Sequence, residues 1–127
     1  MAKGSIPAEP VAVQSSPQME ANMATATVIA LKGASGRTYE FEVHPWGTEF
    51  NQIGAVYVVL QTRSDGLIYV GQTGDLSERF DSHHKKDCFV RYGRTHVGVH
   101  PEASERSRLA IEQDLLKNYR WPCNDQK

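Results

Sequence analysis

The sequence predicts an α+β fold in which a small central β-sheet is flanked by helices and preceded by an extra β-hairpin. Three observations lead there. Strand-like runs occupy two separate stretches, each broken by a turn; helix signals follow them rather than alternating with them; and 127 residues suffice for one compact domain. Apolar residues make up 39% of the chain, enough for a real core. The formal net charge of −1 excludes the global field that draws strongly basic proteins onto nucleic acid, so any anion site has to be local.

Residues 1–23 contain Pro7, Pro10 and Pro17 and no aromatic side chain, the composition of a disordered tail. Residues 24–50 read as the hairpin extension. Thr27–Leu31 is strand-like, Gly33-Ala34-Ser35-Gly36 turns the chain, and Tyr39, Phe41 and Val43 then alternate with Thr38, Glu40, Glu42 and His44. Its apolar face is expected to pack onto the main sheet or onto a second copy of the protein.

Residues 51–127 hold the principal unit. A second hairpin joins Ala55–Thr62 to Leu67–Gly71 through Ser64-Asp65-Gly66, a loop suited to a type I turn closed by a glycine bulge. Asp75 with Glu78 reads as a capping box for a helix over 76–86. A short helix over Asp87–Tyr92, a strand over Thr95–Val99 and a long helix from about Pro101 to Tyr119 complete the elements. The last stops before Trp121-Pro122 because a residue preceding proline is disfavoured in helical geometry.

Cys88 and Cys123 are too few for a disulfide scaffold, and neither a secretory leader pattern nor a membrane-spanning run is evident; reduced thiols in a cytoplasmic protein, with no membrane partner, are expected. A structural zinc site from Cys88, His96, His100 and Cys123 lacks the close ligand pairs such sites use.

Several side chains are unusual in position. Arg79 and His83 are four apart, neighbours if their segment is helical, and would lie at the wet edge of a core face or in a site. Glu112 shares the face of Leu109, Leu115 and Leu116; a carboxylate there is either paired with Arg108 one turn back or held for a metal. Tyr57 and Tyr69 fall on one face of the second hairpin because its loop is odd-numbered. Between Arg79 and His96 five basic residues (Arg79, Lys85, Lys86, Arg91, Arg94) face two acidic ones, a pattern equally natural for a solvated helix and for a phosphate-tracking patch.

Taken in order, Val56-Tyr57-Val58, Tyr69-Val70-Gly71, Leu76-Ser77-Glu78-Arg79-Phe80 with His83, Glu112, and Pro122-Cys123-Asn124 resemble the GIY-YIG nuclease family across Gly54–Asn124. The resemblance implies a metal-dependent endonuclease hydrolysing phosphodiester bonds in DNA, with RNA left open, using one Mg²⁺ or Mn²⁺. It implies Tyr57 and Tyr69 as paired site tyrosines, Tyr69 as base or water-positioner with Tyr57 and His83 orienting it, Arg79 facing phosphate, Glu112 as metal ligand, and Gly71 and Asn124 in support. Lys85, Lys86, Arg91 and Arg94 would hold the nucleic acid. Gln72 stands where some members carry Lys. An adaptor that binds nucleic acid without turnover is the alternative on the same fold.

Overall fold

The computed structural model describes residues 27–80 and 83–124; the tail expected over 1–23 lies outside them. Among the described residues the strands and α-helices follow in the order β1 (Thr27–Lys32), β2 (Thr38–Pro45), β3 (Ala55–Gln61), β4 (Gly66–Thr73), α1 (Lys86–Arg91), β5 (His96–Pro101) and α2 (Glu105–Asn118). The strands form a single antiparallel sheet in the order β1-β2-β5-β3-β4, an α+β architecture as expected. No helix among the described residues is long and apolar enough to cross a membrane.

β3 is buried over Ala55–Leu60 because it lies inside the sheet with side chains packed on both faces. On one face Val56, Val58 and Val70 meet Leu31, Phe41, Ile111, Leu115 and Trp121. On the other, Tyr57, Val59, Tyr69, Val97 and Val99 meet Leu76 and Phe89, with Trp46, Phe50 and Phe80 against them. The first hairpin continues the sheet edge to edge, since β2 pairs with β5 through Glu42↔Val99 to Pro45↔His96. Phe41 is fully buried as a result. Asp114 of α2 ties down the hairpin turn, accepting from the Ser35 backbone N–H at 2.8 Å, the Ser35 hydroxyl at 2.7 Å and the Tyr39 hydroxyl at 2.7 Å.

Four local expectations are corrected. The helix expected over 76–86 is not seen among the described residues of that span: Leu76–Glu78 makes one 3₁₀ turn, capped by Asp75 accepting from Ser77 N–H at 3.0 Å, and α1 begins only at Lys86. Leu76 is buried in the core, and the His83 ring accepts the Lys85 backbone N–H at 3.0 Å, removing that donor from a helical ladder. The helix expected from Pro101 starts at Glu105, because strand pairing runs on through Ala55↔Pro101 and Ser104 supplies the better cap, accepting from Ser107 N–H at 3.2 Å. In the second hairpin the left-handed residue is Asp65 (φ 54°), not Gly66, and the register slips between Val59 and Leu60. Finally, Cys88 and Cys123 are joined by a disulfide rather than free.

Candidate active site

Tyr57 on β3 pairs with Gly71 on β4, and Tyr69 lies two residues back on the same face. The two rings lie 6.1 Å apart between centroids, as the hairpin alternation predicts. Gly71 makes this possible. A Cβ built there would lie 2.7 Å from the Tyr57 hydroxyl oxygen and 2.8 Å from Tyr69 Cε2, so both rings lean over bare backbone.

His83 completes the cluster without the helix that was expected to carry it. Its ring is buried and Nε2 lies 2.8 Å from Tyr57 Oη. The Lys85 amide can only donate, so Nδ1 is the acceptor and the neutral ring carries its proton on Nε2. His83 therefore donates to Tyr57. Burial, followed by the positive charges of His84, Arg79 and Lys85, lowers the His83 pKa to about 4 and keeps the ring neutral near pH 7. Burial likewise raises the Tyr57 pKa well above the usual phenol range; a charge on Tyr69 adds to this, Arg79 opposes it, and hydrogen bonding to Tyr69 and the Glu112 charge add further. Tyr57 thus stays protonated, and its own O–H is left to donate towards Tyr69.

Arg79, partly buried after the 3₁₀ turn, donates from Nη2 to Thr73 Oγ1 at 3.3 Å, while its buried Nε has no partner among the described residues. Glu112 is half-buried on α2 and its pKa is raised by burial. The Arg108 pairing weighed from sequence is not made. Arg108 is itself buried and donates from Nε to Gln72 Oε1 at 2.9 Å and from Nη1 to the Glu102 and Ala103 carbonyls at 3.1 and 2.8 Å. Glu112 makes no hydrogen bond or ion pair with another described residue, although its charge reaches Tyr57.

Asn124 acts through the backbone. Its Oδ1 accepts from Val70 N–H and its Nδ2 donates to the Val70 carbonyl, both at 3.0 Å, so one amide side chain stands in for a strand partner along the outer edge of β4. Cys123 N–H donates to the Ile68 carbonyl at 3.0 Å beside it, and the disulfide to Cys88 ties this segment to α1.

The expected basic patch divides. Lys86 and Arg91 are exposed on α1 and Lys85 partly so, but Arg94 lies 4.3 Å over the Trp46 ring. The zinc alternative fails because its two sulfurs are bonded to each other, and no cluster of three or more potential metal-ligating residues occurs among the described residues. Sequence reasoning did not single out Thr73, the Arg108 network or the disulfide; a separation of 35 residues between the cysteines carries no local signal.

No family model, curated protein or solved structure matches this chain.

Proposed function

We propose that the protein is a metal-dependent endonuclease that hydrolyses a DNA phosphodiester at the Tyr57–Tyr69–His83 cluster. The observation that carries this reading is the Arg79 guanidinium, whose buried Nε has no described partner although its charge acts on both Tyr57 and His83. The guanidinium thus lacks a full set of partners among the described residues, and the planar fork of arginine matches a phosphate.

Each side chain then has one task. His83 Nε2–H donates to Tyr57, and Tyr57 donates on towards Tyr69, leaving the less enclosed of the two phenols to orient water or accept its proton. Gly71 leaves room for both rings over β4, and Asn124 holds that strand at Val70. Glu112 fits a divalent cation, since a half-buried carboxylate with no described partner is costly without a positive neighbour. A Mg²⁺ or Mn²⁺ ion there would supply Lewis-acid stabilisation of charge on the phosphoryl oxygens. The exposed Lys86 and Arg91 would follow the flanking backbone.

The test is cleavage of a panel of duplex, branched and single-stranded DNA with and without Mg²⁺ or Mn²⁺, using wild type and Glu112→Gln. The amide keeps the carboxylate's shape, so the variant should fold and lose at least about a hundredfold in rate. Cleavage indifferent to both the ion and Glu112 would refute the assignment.

A further inference from the structure

Outside the tyrosine cluster the chain builds a cleft of about 410 Å³ between the segment following β2 and the Leu76–Glu78 turn. Trp46, Phe50 and Phe80 wall it, with Leu76 buried beneath and the exposed Glu49 among its lining. Phe80 belongs to both places: its ring meets Trp46 at 5.4 Å and Phe50 at 6.0 Å, and meets Tyr57 edge-on at 5.1 Å. One ring therefore separates the cleft from the proposed reacting centre.

A cation stands beside one wall of the cleft. Arg94 covers Trp46, with its buried Nε lacking a partner among the described residues.

We propose that this cleft receives one unpaired nucleobase of a single-stranded or unstacked nucleotide adjacent to the scissile phosphate. The proposal rests on the nuclease reading and adds the substrate class. Its volume is at the small end of ligand sites, which run from roughly 300 to 1,000 Å³, so it has room for a base and sugar and none for a duplex. Aromatic walls accept any base because every base has a π-face. Arg94, stacked on Trp46, supplies a positive charge for the phosphate of that nucleotide against the single carboxylate of Glu49 in the lining. A base paired in a duplex would have to leave its stack to enter, so strands already unpaired at that position bind better.

Trp46 is a built-in reporter, while the chain's other tryptophan, Trp121, is buried on the opposite face of the sheet. The full chain is titrated in EDTA, where no cleavage occurs, with a twelve-residue oligothymidylate, an abasic oligomer of equal length and a blunt twelve-base-pair duplex. Expected is saturable quenching by oligothymidylate in wild type that is absent in Trp46→Phe, with the abasic and duplex probes weaker by about tenfold or more. Phe50→Leu should weaken oligothymidylate by about tenfold and leave the abasic oligomer unchanged. Should Phe50→Leu fail to fold, exposed Glu49→Lys decides: it should tighten oligothymidylate and steepen the salt dependence by about one phosphate contact.

Equal responses to all three probes, no response to oligothymidylate, or an unchanged Glu49→Lys affinity would overturn the proposal. So would quenching that tracks protein concentration without DNA, which would put a second copy in the cleft. The two readings fail separately: oligothymidylate binding with no cleavage under any metal ion removes the hydrolysis and keeps the cleft, whereas cleavage with a silent Trp46 does the reverse.

Discussion

Replacing Gly71 by alanine adds a single methyl group at the point where both site tyrosines lean on the backbone. The new carbon would stand 2.7 Å from Tyr57 Oη, 2.8 Å from Tyr57 Cζ and 2.8 Å from Tyr69 Cε2. Ordinary carbon contacts begin near about 3.5 Å, so the rings must retreat by roughly 0.7 Å. They have little room to do so. Tyr57 is held from the far side by His83 and by the edge-on ring of Phe80, and β3 is enclosed in the sheet.

Overpacking of this kind costs about 1–3 kcal/mol, which for a chain of this length lowers Tm by roughly 4–12 °C. A displacement approaching 1 Å at reacting groups costs about 10- to 100-fold in rate. Gly74→Ala is the control, since its added carbon would meet nothing nearer than Arg108 Nη2 at 3.6 Å. Thermal melts and single-turnover cleavage of the two variants provide the comparison. If Gly71→Ala matched Gly74→Ala in both Tm and rate, the tyrosine pair would not rest on Gly71 and the site geometry would be wrong.

Cys123→Ser opens a loop spanning 35 residues and should lower stability by about 3–4 kcal/mol in urea titrations. Reductant should reduce wild type by a similar amount and leave the variant unchanged; identical wild-type midpoints with and without reductant would mean that the cysteines are not joined. His83 supplies a pH signature: its folded pKa of about 4 lies below the unfolded value near 6.5, so the unfolded chain takes up the proton first. Its contribution is complete above about pH 6.5 and is lost as pH falls towards 4, by at most about 3 kcal/mol. The raised Glu112 pKa acts in the opposite sense, so the difference between wild type and His83→Asn isolates the histidine; parallel stability curves would place His83 in water. Arg79→Ala should reduce cleavage rate far more than DNA affinity, while Lys86→Ala should reduce affinity and its salt slope together. Equal losses of rate and affinity in Arg79→Ala would make that residue an anchor only and favour the adaptor reading.

What could be read in the chain was local and periodic. Strand-like runs broken by turn residues located both hairpins, and the period of two put Tyr57 and Tyr69 on one face, because adjacent side chains of a strand must point oppositely whatever surrounds them. The long C-terminal helix was legible from its own periodicity, apart from its first turn. Tertiary structure decided everything that depended on partners distant in sequence. Leu76 turns into the core and His83 reaches Tyr57, and these contacts outweigh a capping signal that would otherwise have started a helix over 76–86. Arg108 is drawn to Gln72 and two carbonyls, leaving Glu112 without the partner one turn away that its spacing offered. Arg94 stacks on Trp46, the first hairpin continues the sheet beside β5, and Cys88 finds Cys123. None of these has a short-range signature, because the energy that selects each comes from burial and pairing that exist only once the sheet has brought the two ends of the contact together.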